Sequence, residues 1–284
     1  MGVDDFRCCA QVAPEGDEEP NPTHSIVFVR RGAFVRSDRG QTLVADPNHI
    51  LFFNQGQPYR YAHPLPGGDD CTILMLEDEC ARTAVARFAP SAAEDPRTPF
   101  RLGHALSTSR TARLHFELLA LARGAHEPPA LIGEDLVLEL IEASLLALHC
   151  RGTFQRDDEP SAAGTRRRRE AVEAVKLILN ERFESPPRLA ELAAAVDCSP
   201  FHLSRSFRAV TGLTMRHYLR CLRARLASDR LARGASDLTA LALALGFCDH
   251  SHFTNSFRRE WGVPPSRIHA ARRANTSRSR RQGS

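Results

Sequence analysis

"LAELAAAVDCSPFHLSRSFRAVTG" runs from Leu189 to Gly212, and "LTALALALGFCDHSHFTNSFRREWG" runs from Leu238 to Gly262. The two stretches coincide at Leu189/Leu238, Leu192/Leu241, Ala193/Ala242, Ala195/Ala244, His202/His252, Ser206/Ser256, Phe207/Phe257, Arg208/Arg258 and Gly212/Gly262. The pattern predicts a short helix, a tight turn and a second helix, twice. Small Ala193 and Ala242 let the paired helices cross closely. Gly246 adopts a left-handed turn at no steric cost, and Asp197 tolerates one. Ser199 with Pro200 reads as an N-cap followed by a first-turn proline. Leu203 with Phe207, and Phe253 with Phe257, fall on one inner face at i, i+4. The outward residues are polar or basic, the physical form of a helix-turn-helix, whose second helix enters the DNA major groove.

Between the copies, "TMRHYLRCLRARLASDRLARG" reads as one long amphipathic helix closed by Gly234. "RREAVEAVKLILNERF" precedes them, with Val172, Val175, Ile178 and Leu179 on one stripe, so everything beyond the linker is expected to be helical. Charge follows the same division. The net charge is +4, but residues from Arg166 onward carry +13, leaving −9 on the rest. A basic half joined to an acidic half predicts that only the second meets a polyanion.

Residues 168–273 resemble the DNA-binding domain of the AraC/XylS family of transcription regulators. "RLASDRL" (Arg225–Leu231), "LTALALALGF" (Leu238–Phe247) and "HSHFTNSFRREWGVPPSRIH" (His250–His269) carry that resemblance. It implies two helix-turn-helix subdomains bridged by the long helix. Base contacts are then expected from Phe201, Ser204 and Arg205 in the first unit, and from His250, Ser251, Thr254 and Asn255 in the second. The side-chain chemistry agrees: Arg205 suits guanine O6/N7, Asn255 suits adenine N6/N7, and Phe201 suits a thymine methyl. Ser204, Ser251 and Thr254 could equally face solvent or phosphate. Arg208, Arg258 and Arg259 are assigned to phosphates, together with the helix starts at Pro200 and His250. Arg208 and Arg258 could instead pair with glutamates or cover helix surface.

The first half, residues 1–150, has short apolar runs separated by turns: "SIVFVRRGAFVRS", "QTLVAD", "HILFFNQGQPYRYAHP" and "CTILML". This spacing predicts an antiparallel sandwich or barrel, with helices from about Ser107. The resemblance implies a cupin-like β-barrel that binds an effector or dimerises. The expected fold is therefore α+β: a cupin-like barrel with flanking helices, then an all-α domain. Residues 151–167 read as a linker and 274–284 as a disordered basic tail. "GEDLVLELIEASLLALHC" (Gly133–Cys150) carries more apolar surface than one face needs, so a homodimer contact is expected there, with Leu138 and Leu145 in it. Packing on its own barrel is the competing reading.

Catalytic patterns are missing. There is no G-x-S-x-G, and the single lysine, Lys176, lies in no phosphate-binding loop. The His-x-His of a metal-binding cupin is absent from the barrel, and His250–His252 lies inside the reading head. No enzyme and no cofactor are expected. Eight cysteines without a C-x-x-C pair, and a start lacking an apolar signal core, suit a cytoplasmic chain. One cluster stays open: Cys8 and Cys9 precede the first strand run, and His63 and Cys71 flank a Gly-rich turn. They are either core thiols and loop residues or a soft-ligand or redox site. The expected partners are promoter DNA, RNA polymerase, a small effector and a second copy, with no membrane. A cupin enzyme fused to a DNA-binding module, or a protein-binding scaffold, are the rival readings.

Overall fold

In the computed structural model, the described residues are 1–38, 40–95, 97–122, 130–151 and 162–267. The first half opens with nine strands: β1 (Gly2–Arg7), β2 (Glu19–Pro20), β3 (His24–Arg31), β4 (Phe34–Asp38), β5 (Gln41–Ala45), β6 (His49–Phe53), β7 (Pro58–Ala62), β8 (Asp70–Leu76) and β9 (His104–Leu106). They form two antiparallel sheets, one in the order β1-β8-β3-β6-β9 and one in the order β2-β7-β4-β5. The sandwich or barrel expected from the strand spacing takes the form of this pair of antiparallel sheets. β3 shows why. Its Val27 and Val29 pack with Phe34, Leu43 and Tyr61 of the smaller sheet. Its Ile26 and Phe28 pack with Leu114, Leu118, Leu140 and Leu148 of the helices behind. The larger sheet is thus covered on both faces, and β3 is buried at seven of its eight residues.

Two further differences concern where elements begin. Helices appear earlier than Ser107, as α1 (Asp78–Ala86) and α2 (Pro90–Ala93). The start of the chain, placed before the first strand run, is itself β1, paired in register with β8 from Gly2↔Met75 to Arg7↔Asp70. It is an exposed edge strand, so it lacks the alternation that marks half-buried strands.

Helices α3 (Ser109–Ala122) and α4 (Ala130–Arg151) complete the first half. α4 is apolar nearly all round, and the structure sorts its faces. Leu140, Ile141, Leu145 and Leu148 are buried in the core, whereas Ile132, Leu138 and Leu146 are exposed. Leu145 therefore belongs to the protein's own core and not to a dimer face, which corrects half of the expected pair.

Beyond lie α5 (Ala162–Glu181), α6 (Leu189–Ala195), α7 (Pro200–Thr211), α8 (Met215–Ala232), α9 (Leu238–Leu243) and α10 (His250–Trp261). α5 starts inside the stretch read as linker; residues 152–161 and the tail from 268 lie outside the described residues. The helices form two small cores. α5, α6, α7 and the start of α8 enclose Val172, Val175, Leu179, Leu203, Phe207 and Tyr218. The rest of α8, with α9 and α10, encloses Leu222, Leu231, Leu241, Phe253, Phe257 and Trp261. α3 also reaches this second core, through Phe116, whose ring meets Trp261 edge-on at 5.9 Å.

Candidate nucleic-acid interface

α7 and α10 are built alike. Each is 12 residues long. Each is N-capped by a side-chain oxygen, Ser199 accepting from the His202 amide and Asp249 from the His252 amide. Each ends at a glycine in the left-handed region, Gly212 at φ 74° and Gly262 at φ 73°. The turns that precede them also use positive φ. Asp197 sits at φ 49° and Gly246 at φ 75°, the two positions at which the sequence required it. At Gly246 a Cβ would come within 2.1 Å of the Glu184 carbonyl oxygen, so glycine serves both backbone angle and packing.

Burial divides each helix into an anchored face and a free one. α7 buries Leu203, Ser206, Phe207 and Thr211. α10 buries Phe253, Ser256, Phe257 and Trp261. Phe201, Ser204 and Arg205 are all exposed, Phe201 at 78 %. An aromatic ring left that open on a helix forgoes favourable burial. In α10, His250, Ser251 and Asn255 are exposed. Thr254 is only half-exposed, and its hydroxyl is shielded from solvent. Arg208, Arg258 and Arg259 are exposed, and no ion pair joins them to another described residue. The glutamate pairing considered for Arg208 and Arg258 is therefore not seen among the described residues.

α8 joins the two pairs. Thr214 caps it by accepting from the His217 amide. Its 18 residues span about 27 Å at the helical rise. Ten of them are buried, which leaves little room for the helix to bend or slide.

Residues 192–274 match the family of helix-turn-helix domains. The match marks an AraC-type helix-turn-helix domain in the C-terminal part of the chain. Among relatives, the regulatory protein Ada of Salmonella typhimurium is 44 % identical over 70 residues, which are 25 % of this chain and 20 % of that protein. Over longer stretches, the uncharacterized HTH-type transcriptional regulator YbfI of Bacillus subtilis is 27 % identical, covering 82 % of this chain and 80 % of that one. The HTH-type transcriptional activator RhaS of Shigella dysenteriae is 24 % identical, covering 91 % and 90 %. Among solved structures, ToxT from Vibrio cholerae is 12 % identical with a TM-score of 0.35, over 94 % of this chain and 97 % of that one. With the AraC-type domain in place, the chain is a DNA-binding transcription regulator.

The AraC-type domain is tied to the sheets by a buried polar network that sequence reasoning missed. Asp46, fully buried after β5, accepts from Tyr218 Oη at 2.6 Å, Asn180 Nδ2 at 2.7 Å and the Asn48 amide at 2.9 Å. His49 Nδ1 lies 2.7 Å from Asp46 Oδ1, the oxygen that takes the Asn48 amide. Burial alone would raise the Asp46 pKa. The charge and hydrogen bond of His49, with Lys176 and Asn180, override it and hold the carboxyl below the usual carboxylate range. His49 moves the opposite way from a paired histidine: burial and the Lys176 charge push its pKa down despite Asp46. Lys176 pairs with Glu173 at 2.7 Å, and the same Glu173 oxygen accepts the Val44 amide at 2.6 Å. Arg225 donates to Asn48 Oδ1 at 2.8 Å and to the Ser107 carbonyl, and Arg233 pairs with Asp70. The partners that join the two halves lie 118 to 177 residues apart in sequence, beyond any local pattern.

Proposed function

We propose that this regulator reads a non-palindromic promoter site with α7 and α10 in successive major grooves. The observation that carries the reading is the pair of matched helices, each with an anchored aromatic face and an exposed polar one, held at the two ends of a largely buried α8. A span of about 27 Å is close to the roughly 34 Å that separates same-face major grooves of B-DNA. Phe201, Ser204 and Arg205 are assigned to bases in one groove, and His250, Ser251, Thr254 and Asn255 to bases in the next. Thr254 would turn its methyl group outward, since its hydroxyl is shielded. Arg208, Arg258 and Arg259, with the first-turn amides of Phe201, His250 and Ser251, supply phosphate contacts.

The first half is assigned the regulatory role, through a small effector, dimerisation or both. Its sheets touch the DNA-reading half directly through Asp46, Asn48 and Asp70, so a change in either half reaches the other. A cleft of about 30 Å³ at that junction, lined by Phe28, His49, His115, Phe116, Arg225 and Trp261, has room for about one water. An effector larger than that has to open it. Contact with RNA polymerase falls to the surfaces of the second half that do not face DNA. The protein acts by binding, not by catalysis. No described helix is long and apolar enough to cross a membrane, and we assign it to the cytoplasm.

Footprinting of the full chain on its selected site tests the two-groove reading. Two protected segments about 10 base pairs apart on one face are expected. Inserting five base pairs between them should drop binding to the non-specific level. Full affinity after that insertion would restrict base reading to a single helix.

A further inference from the structure

Cys8, His63 and Asp69 converge beside the turn between β7 and β8. One ligand atom from each lies within 4.8 Å of the others. His63 and Asp69 are buried at 5 % and 2 % exposure, while Cys8 is half-buried and gives the cluster its opening to solvent. The backbone is shaped to bring them together. The Cys8 amide donates to the Asp69 carbonyl at 2.8 Å, extending the β1–β8 ladder by one residue. Opposed residues of an antiparallel pair project from the same face, so Cys8 and Asp69 share one. Gly68, at φ 61°, makes this possible: a Cβ there would lie 2.1 Å from the Cys8 carbonyl oxygen. His63 enters from the other sheet, where it bridges to Ala13.

The polar contacts within the cluster are few and directed. His63 Nε2 lies 2.7 Å from Asp69 Oδ1. The Cys71 thiol donates to Asp69 Oδ2 at 3.0 Å. No lysine or arginine among the described residues forms an ion pair with Asp69. A second convergence, His217, Cys221 and Glu260, differs on this point: Arg220 already sits on the Glu260 carboxylate at 2.6 Å and supplies the cation.

We propose that Cys8, His63 and Asp69 form a three-ligand site for a single zinc ion, with Cys71 orienting the carboxylate. A thiolate, an imidazole and one carboxylate are the donor set of a borderline-soft metal and unsuited to calcium or magnesium. Three protein ligands leave a fourth tetrahedral position, which the half-exposed side of Cys8 leaves to water or an incoming ligand. Bonds of about 2.0 Å to nitrogen and oxygen place those atoms roughly 3.3 Å apart. The His63–Asp69 separation therefore opens slightly as the metal takes the place of the shared proton. Binding releases the Cys8 thiol proton, and the proton displaced from His63 Nε2 is replaced by one on Nδ1, so the bound imidazole is neutral. Cys71 Sγ sits 3.0 Å from Asp69 Oδ2, on the oxygen that does not face His63, a position that suits a donor to the carboxylate and not a fourth ligand.

Cobalt titration of the full chain, stripped with chelator and kept reduced, tests the site. One equivalent of Co²⁺ should produce a thiolate-to-cobalt charge-transfer band with intense tetrahedral visible bands, and zinc should bleach both. Cys8→Ser should abolish the charge-transfer band and weaken zinc binding at least tenfold. Cys9→Ser, at the exposed neighbouring thiol, should leave both unchanged, and Cys71→Ser should keep the band. Circular dichroism confirms that each variant is folded; Cys8 is half-exposed, so its serine variant retains the sheet. Absence of a band in the wild type, its survival in Cys8→Ser, or its equal loss in Cys9→Ser would each overturn the proposal. In that case His63 and Asp69 are a buried hydrogen-bonded pair without a metal.

Discussion

The hydroxyl of Tyr218, in the bridging helix, donates to Oδ2 of Asp46, beyond the end of β5, at 2.6 Å, and both residues are fully buried. The helix that joins the two matched helix pairs is thereby bonded to the sheet half at its own first turn. Burial and the Asp46 charge push the tyrosine pKa well up, so the phenol remains a donor. Tyr218→Phe keeps the ring against Phe207, 5.3 Å away edge-on, and deletes only the oxygen. It leaves Asp46 one donor short. The expected loss is about 1–3 kcal/mol, the range for a buried group deprived of its partner. Chemical denaturation of the full chain measures it, and a change below about 0.5 kcal/mol would show that water replaces the hydroxyl.

Acid should loosen the same junction in two stages. His49 has a depressed pKa in the folded chain, so the unfolded chain takes up its proton first. Its contribution is complete above the ordinary value of 6.5 and is lost as pH falls below it. Asp46 is also depressed; its contribution holds above 3.8 and is lost as pH falls further. Stability should therefore decline from about pH 6.5 downward, by at most about 1.4 kcal/mol per pH unit for each group. His49→Gln should flatten the stage between 6.5 and 3.8. An unchanged slope in that variant would remove His49 from the account.

Arg205→Ala should cost about 1–3 kcal/mol on the selected site and relax the preference at one base position. Arg258→Ala should weaken all sequences alike and lower the salt dependence of binding by about one counterion. Competition binding against single-base variants separates the two, and a uniform loss for Arg205→Ala would move that residue to the phosphate group.

Dimerisation through α4 has a sharper test now that its faces are sorted. Ile132, Leu138 and Leu146 are exposed at 55 %, 49 % and 45 %. Leu138→Glu with Leu146→Glu should give a folded monomer by sedimentation. Leu145→Glu should instead unfold the first half, since it places a charge in the core. An unaltered sedimentation mass in the double variant would place any dimer contact elsewhere.

Two turn glycines should respond unequally to alanine. Gly212 has open space around its missing Cβ, so Gly212→Ala pays only for positive φ, about 1 kcal/mol. Gly246→Ala adds a clash with the Glu184 carbonyl and should cost clearly more, and its melting temperature should fall further. Equal losses would mean that the Glu184 loop gives way.

The exposed faces of α7 and α10 were legible because their information is local. Phe201, Ser204 and Arg205 lie on the free face of α7 because Leu203 and Phe207 occupy the other, and helix periodicity dictates both. The caps at Ser199, Gly212 and Gly262 and the turns at Asp197 and Gly246 likewise depend on a few neighbouring residues. The charge division needed only counting. By itself, then, the sequence determined the repeated helix pairs, their exposed sides and the basic half that carries them.

Tertiary structure alone decided the rest. β1 is recognisable only by its partner β8, because an exposed edge strand buries too little to show a pattern. α4 is apolar on all sides, so only the sheet behind it could assign Leu145 to the core and Leu138 to the surface. Asp46 and Tyr218 stand 172 residues apart, and nothing along the chain marks them as partners. Asp69 was likewise invisible as a companion to Cys8 and His63 until the β1–β8 ladder and the Gly68 turn closed the distance. Side-chain periodicity reports which face of an element is buried; it carries no information about which distant element does the burying, and that is set by the packing of the whole chain.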